Sequence, residues 1–316
     1  MVDWSTSAFV FPGQGSQVVG MGKEIADAYA DARRFFEQAD DLLGVSLSSL
    51  CFDGPEDVLN DTYNAQPALY VCGMATLQAL KSEFPDVHPA AMAGHSLGEF
   101  TALAAAGALS FEDGLHLVRE RGRLMKEAGE RYPGAMAALL GLEAEAVRAV
   151  CADAAQQTGG KLVLANDNCP GQLVISGDHE TLDRGLVLAK EAGAKRAVKL
   201  AVTIASHSPL MEPIAEEFRR VLAETTFAPP VVRVYGNVNA APLTSVDAIR
   251  EELGLQLTHS VRWTDSVRAM IADGIQQFVE LGPKDVLSGL LRRIDGSKTA
   301  FPINNLQSMH QFVQNR

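Results

Sequence analysis

Cysteine is scarce in this chain, and its placement has no pattern. Cys51, Cys72, Cys151 and Cys169 stand far apart, with no CxxC pair and no Cys/His spacing that would hold a metal. Reduced thiols and a cytoplasmic setting are the expectation, with no metal site. A basic excess is missing too. Against 39 Asp and Glu there are 27 Lys and Arg, a net charge of −12, which speaks against general affinity for nucleic acid or an anionic membrane. The longest apolar stretch, Phe100 to Phe111, falls well short of the ~20 residues that span a bilayer. The N-terminus, MVDWSTSAFVFPGQG, has an acid at Asp3, no basic stretch and a very short apolar run, so it does not read as a secretory leader. Repeats and low-complexity segments are absent as well. What remains is ordinary globular composition, 47% hydrophobic and 21% charged, enough for a sizeable core.

Short apolar runs that end in Gly or Pro alternate with helical patterns, the rhythm of an α/β sheet. Ala8–Phe11 runs into PGQGSQ and Ala90–Ala93 into GHSLGE. Val231–Tyr235 and Gln277–Leu281 end in GNVN and GP. The middle of the chain has another rhythm. Ala135–Leu140, Leu162–Asn166, Gln172–Ser176 and Ala197–Val202 read as strands, with helices over Glu143–Gln157 and Glu180–Ala192. The order β-α-β-β-α-β is ferredoxin-like. The expected fold is therefore α/β: a large domain from residues 1–131 plus 204–316, with a small ferredoxin-like domain inserted at 132–203.

GHSLG, Gly94 to Gly98, fits the G-x-S-x-G nucleophile elbow, a tight strand-to-helix turn that exposes a serine oxygen. Ser96 would then sit at the positive end of the following helix, with the Leu97 N–H placed to stabilise an oxyanion. The pentapeptide alone is a weak signal, since a serine at a helix N-cap looks the same. An apolar strand before it and a buried-type helix after it strengthen the case. A serine nucleophile needs a base. Among seven histidines, His207 in IASHSPLM is the best placed, between a strand and a helix on a loop where two domains would meet. A triad acid is not apparent nearby, so a Ser-His dyad oriented by a backbone carbonyl is the simpler arrangement. His95, beside the serine, reads as structural.

Glu112–Arg131 has the period of one helix. Leu115, Leu117, Val118, Gly122, Leu124, Met125 and Ala128 share one half of its wheel, and Arg121 falls among them. A cation in an apolar stripe must be paired or face a polar cavity. Either it bridges to an unseen acid, or its guanidinium waits for a substrate carboxylate, which it can grip with two hydrogen bonds. The PGQGSQ loop has neither a P-loop Lys-Ser/Thr nor GxGxxG spacing. Beside an elbow, such a loop supplies a second oxyanion N–H instead, with Gln14 the candidate.

With these residues in hand, the chain resembles the malonyl-CoA:acyl carrier protein transacylase family over nearly its whole length. The matching segments are FVFPGQGSQ, QPAL, GHSLGE, RGRLM, GAMAALLGL, NCPGQLVISG, AGAKR, SHSPLM, QLTHSVRWTDSV and ELGP, in that order. The resemblance implies an α/β-hydrolase-like domain with a ferredoxin-like insert. It implies Ser96 as acylated nucleophile, His207 as base and Arg121 as holder of the acyl carboxylate. Gln14 and Leu97 would give oxyanion N–H groups. Gln256 would line the site near the carbonyl that orients the histidine. Malonyl-CoA and an acyl carrier protein would be the partners in fatty acid or polyketide synthesis, with coenzyme A and the carrier's phosphopantetheine arriving as substrates and no bound cofactor. Two departures stand out. IAS precedes His207, where the bacterial fatty-acid enzymes usually show a proline and methylmalonyl-selective domains often show YASH. The family's GPGK is here Gly282, Pro283, Lys284 and Asp285. The first leaves malonyl against methylmalonyl open; the second leaves the carrier open. An acyl hydrolase with the same dyad is the rival, and Arg121 speaks against it. Docking to an acidic carrier would use Lys190, Lys195, Arg196 and Lys199, or Arg292 with Arg293.

Overall fold

Nine strands lie along the described residues, 3–314, of the computed structural model: β1 (Ser7–Phe11), β2 (Ala91–Gly94), β3 (Ala135–Leu140), β4 (Leu162–Cys169), β5 (Gln172–Gly177), β6 (Arg196–Lys199), β7 (Arg233–Tyr235), β8 (Gln277–Leu281) and β9 (Thr299–Ile303). Met1 and Val2, which open the segment read as carrying no leader, lie outside the described residues. Five strands form a parallel sheet in the order β7-β2-β1-β8-β9. Every residue of β1 and β2 is buried. This is why SAFVF and AMAG lack polar alternation: a parallel strand covered on both faces has no wet side. β1 and β2 end level, with Phe11 opposite Gly94, so the PGQG loop and the elbow leave the sheet side by side at its carboxyl edge, where ligands of such sheets bind.

The other four strands are antiparallel, in the order β4-β5-β3-β6. The helices Ala144–Thr158 and His179–Glu191 cover one face, against Ala137, Leu139, Leu164, Leu173 and Ile175. Met136, Ala165 and Val174 form a small cluster of their own, and Met136 and Val174 line the cleft toward the parallel sheet. Along β4, Leu162 and Leu164 belong to the helix-covered core, whereas Asn166 and Asn168 line the cleft. A register shift between Leu164 and Asn166 makes this possible, because a bulge inserts one residue and changes which residues face which side. The same strand is tied to the parallel half of the molecule. Asp167 N–H donates to the Val261 carbonyl (2.9 Å) and Val261 N–H to that of Ala165 (2.8 Å), while Thr264 Oγ1 donates to Asp167 Oδ1 (2.5 Å).

The fold is thus mixed α/β, and several bounds differ from the sequence pattern. β4 runs on to Cys169, through residues read as a turn, because the bulge and the Val261 bridge keep Asn166–Cys169 extended. β6 stops at Lys199 rather than Val202, and β7 starts at Arg233 rather than Val231, whose side chain is 84% exposed. Nothing in the sequence pattern marks β9. Its TAFPI contains Pro302, which fits only an edge strand, where the missing N–H faces away from the ladder. β9 is such an edge. The Arg121 helix spans Phe111–Arg131, capped by Ser110. Among the described residues, no helix is long and apolar enough to cross a membrane, and no cluster of His, Cys, Asp or Glu could hold a metal.

Candidate active site

Ser96 follows β2 with φ of 51°, the left-handed backbone of an elbow. The glycines around it are there for space. A Cβ on Gly94 would lie 1.8 Å from the Gly98 carbonyl carbon, and one on Gly98 would lie 2.0 Å from the Phe11 carbonyl oxygen. A Cβ on Gly13 would come within 2.3 Å of the His95 carbonyl oxygen, so the Gln14 loop lies directly on the elbow. Asn237, in the GNVN turn after β7, clamps the elbow from the other side. Its Oδ1 accepts the Ser96 N–H (2.6 Å) and its Nδ2 donates to the Gly94 carbonyl (2.7 Å). The buried Glu252 accepts the next N–H, from Val238 (2.5 Å).

His207 also has positive φ, 57°, and is 5% exposed. Its Nε2 lies 2.9 Å from Ser96 Oγ and its Nδ1 lies 2.8 Å from the Gln256 carbonyl oxygen. A carbonyl only accepts, so Nδ1 carries the proton and Nε2 offers its lone pair to the serine hydroxyl. Burial, and then the nearby Arg121 cation, push the imidazole down to about 3. It is therefore a neutral base throughout the physiological range.

Arg121 is 2% exposed. Nη1 donates to Gln66 Oε1 (2.9 Å), and Nη2 donates to Gln256 Oε1 (2.9 Å) and to Ser96 Oγ (3.0 Å). The acceptors are neutral, and its buried Nε has no acceptor among the described residues. Burial lowers the guanidinium to about 10, so it stays charged at neutral pH. The unseen acid weighed for it does not make a direct ion pair. The nearest candidate, wholly buried Glu99, is reached through Gln256, whose Nε2 donates to Glu99 Oε2 (2.7 Å) and to the Ser96 carbonyl (3.1 Å).

Ser96, Arg121, His207 and Gln14 share one cavity of about 220 Å³, below the ~300–1,000 Å³ of pockets for drug-sized ligands. Met125, Met136, Val174, Val202 and Ile204 give it apolar walls. It suits a short acyl group and strengthens electrostatics inside it. A cleft of about 280 Å³ adjoins it through Gln14, Met125, Val202 and Ile204. Leu97 is buried at the N-terminus of the Gly98–Ala105 helix. Gln14 is held through its side chain, whose Oε1 accepts from Thr62 Oγ1 (2.8 Å). His95 lines the same cavity, with Nε2 2.8 Å from Asn168 Oδ1 and its ring 5.7 Å from that of Trp263.

The structure thus brings Ser96, His207, Arg121, Gln256 and Gln14 together. Gln256 stands behind the cavity wall rather than lining it, and its own carbonyl is the one that meets the histidine. Gln66, Asn237 and Glu99 also belong to this arrangement. Gln66 and Glu99 fall inside QPAL and GHSLGE, but nothing in their spacing speaks of chemistry. The basic residues lie outside this cavity. Lys190, Lys195 and Arg196 are exposed, Lys199 pairs with Asp183 (2.5 Å), and Arg292 is exposed on the Val286–Ile294 helix. Arg293 is occupied, donating to Gln172 Oε1 (2.5 Å) and the Pro170 carbonyl (3.3 Å) of the β4–β5 turn.

Residues 8–299 match the acyl transferase domain family. The malonyl CoA-acyl carrier protein transacylase of Bacillus subtilis (strain 168) is 44% identical over 310 residues, covering 98% of this chain and 97% of the relative. That of Escherichia coli (strain K12) is 42% identical over 302 residues, covering 96% and 97%. Among solved structures, the acyl carrier protein S-malonyltransferase of Vibrio cholerae superposes with a TM-score of 0.94 at 42% identity, over 98% of this chain and 100% of the other. A malonyl-transacylase in complex with a type II PKS acyl-carrier protein gives the same TM-score at 40% identity, over 98% and 99%.

Proposed function

This chain belongs to the acyl transferase family, among the malonyl-CoA–acyl carrier protein transacylases, and from that premise we propose that it moves malonyl from coenzyme A to an acyl carrier protein through an acyl-serine. Ser96 Oγ attacks the thioester carbonyl while its proton passes to His207 Nε2. The oxyanion is met by the N–H groups of Leu97 and Gln14. Collapse breaks the C–S bond, and the thiolate of coenzyme A leaves with the proton from Nε2. The carrier's phosphopantetheine thiol then gives its proton to His207 and attacks the malonyl ester, and collapse returns the proton to Ser96. Arg121 holds the free carboxylate of the acyl group throughout. Gln256 fixes His207 through its carbonyl and Arg121 through its side chain.

The single observation that carries this reading is a buried guanidinium 3.0 Å from the serine oxygen with only neutral acceptors around it. An esterase has no use for such a charge; a dicarboxylic acyl group does. We read the parallel sheet and its helices as an α/β-hydrolase-like domain of residues 1–131 plus 204–316. Residues 132–203 are its ferredoxin-like insert, in a cytoplasmic enzyme without a bound cofactor. The cleft beside the acyl cavity is the path for the phosphopantetheine arm. Lys195 and Arg196, with Arg292 and Arg293, form the docking surface for an acidic carrier, in fatty acid or polyketide synthesis.

Intact-mass analysis tests this directly. With malonyl-CoA, the wild type should gain one malonyl group and Ser96→Ala none. Arg121→Ala should lose malonyl transfer by about 2–5 kcal/mol, the worth of a buried charge pair, while keeping transfer from acetyl-CoA. Labelled Ser96→Ala would end the serine assignment. Equal loss of both acyl groups would make Arg121 structural. Methylmalonyl-CoA in the same panel reads the extender choice, since Ile204 and Ser206 both line the cavity.

A further inference from the structure

We propose that Glu99 is a positioning residue that aims Arg121 at the substrate carboxylate, acting through the side-chain amide of Gln256. The inference rests on the reading of Arg121 just given. Glu99 sits in the first turn of the Gly98–Ala105 helix, three residues after the nucleophile, and is 0% exposed. It does not line the cavity, and its backbone N–H donates to the Ser96 carbonyl at 3.1 Å. One carboxylate oxygen, Oε2, accepts from Gln256 Nε2 at 2.7 Å; the other, Oε1, is buried without a partner among the described residues.

A carboxylate can only accept, so it selects which end of the Gln256 amide faces it. The Nε2 end turns to Glu99 and to the Ser96 carbonyl, and Oε1 is left facing Arg121 Nη2 at 2.9 Å. Were the amide reversed, its N–H₂ would confront the guanidinium, donor against donor, and push it away from the cavity. Gln66 holds the other nitrogen, Nη1, at 2.9 Å. With both nitrogens fixed, the guanidinium plane is set before substrate arrives, which is how oriented groups contribute to binding and catalysis. Glu99 also stands behind Gln256, where it does not compete for the donors of Arg121. A carboxylate in direct contact would satisfy the guanidinium and exclude the acyl carboxylate; one placed behind a neutral amide does not. Burial, and then the neighbouring Glu252, raise Glu99 well above the usual carboxylate range. Protonated, it would place a donor beside Gln256, so its influence depends on its remaining an acceptor at Oε2.

Transfer from malonyl-CoA and from acetyl-CoA should be compared in wild type, Glu99→Gln, Arg121→Ala and the double variant. Glu99→Gln keeps the shape and allows the Gln256 amide to reverse. Its kcat/KM for malonyl-CoA should fall about 10–100-fold, the range for partners that orient a binding group, and its acetyl-CoA value should hold. Thermal melts establish that the variant is folded, and Glu99→Leu gives a second version without any hydrogen bond. The double variant should be no worse with malonyl-CoA than Arg121→Ala alone, since the two act in series. An unchanged malonyl value in Glu99→Gln, or malonyl and acetyl falling together, overturns the inference. Arg121→Ala keeps the two levels apart. If it loses malonyl selectively while Glu99→Gln does not, only the role of Glu99 fails. If it loses both acyl groups equally, the carboxylate reading fails with it.

Discussion

His207 joins two requirements that conflict in water: it must be uncharged to take a proton, yet it sits beside a cation and a nucleophile. Burial resolves the conflict by disfavouring the imidazolium. An ordinary imidazole titrates near 6.5 and this one at about 3, so acylation should show no limb near pH 6.5. Single-turnover acylation between pH 5 and 8 measures this; a midpoint near 6.5 would refute the buried-base account. The same shift acts on stability with a definite sign. Between pH 6.5 and 3 the unfolded chain binds a proton here that the folded chain does not. Stability should therefore fall as pH falls through that window, by up to 1.36 kcal/mol per pH unit from this group alone. His207→Gln should flatten that part of a melting-against-pH curve relative to wild type, at the expense of about 10²–10⁴ in acylation rate.

At the level of elements, the elbow depends on a strand, a loop and a helix meeting with no room for side chains. Gly98→Ala would drive a Cβ into the Phe11 carbonyl at 2.0 Å, and backbone cannot yield as a flexible side chain does. The expected loss is roughly 3 kcal/mol or more, read as a shift in the denaturation midpoint. Gly15→Ala, with φ of +99° but nothing within 4 Å of the added atom, should lose only about 1–2 kcal/mol. These elements were legible in the sequence because each carried a local rule. GxSxG marks the elbow, and a 3.6-residue period placed Arg121 on the buried side. What was not legible rests on partners distant in the chain. Gln66 and Asn237 matter for where their amides point, 55 residues from Arg121 and 141 from Ser96, and no periodicity encodes that. The β4 bulge hid itself in the same way, since the Leu-x-Leu alternation that predicts a strand also predicts the wrong face for Asn166 and Asn168. β9 was masked by its proline.

Across the whole molecule, one edge of the antiparallel sheet is fixed and the other is free. β4 is stitched to Val261 and Thr264, whereas β6, paired among the described strands with β3 alone, presents Arg196 and Val198 to solvent, with exposed Lys195 just before it. On a chain with net charge −12, an acidic carrier needs such a local basic edge. Reversing Lys195 and Arg196 to Glu should raise KM for the carrier and flatten its dependence on salt, because rim charges act through screened, long-range attraction. Acylation by malonyl-CoA should stay at the wild-type rate. Unaltered carrier kinetics would shift attention to Arg292 first, since Arg293 is engaged with Gln172 and Pro170.

The left-handed backbone at Ser96 has a consequence for how such a sequence is maintained. A side chain at φ of 51° sits where an L-residue loses about 1–2 kcal/mol, a strain that glycine would not feel. Glycine ordinarily destabilises relative to alanine by roughly 0.5–1 kcal/mol; here that order should vanish or reverse. Ser96→Gly should melt no lower than Ser96→Ala, and a clear deficit for the glycine variant would show that the turn carries no strain. Folding alone would thus accept glycine at the one position where chemistry demands a hydroxyl. Were selection for activity lifted, random substitution would meet no stability barrier there, and the nucleophile would be among the earliest features to erode while the fold around it persisted.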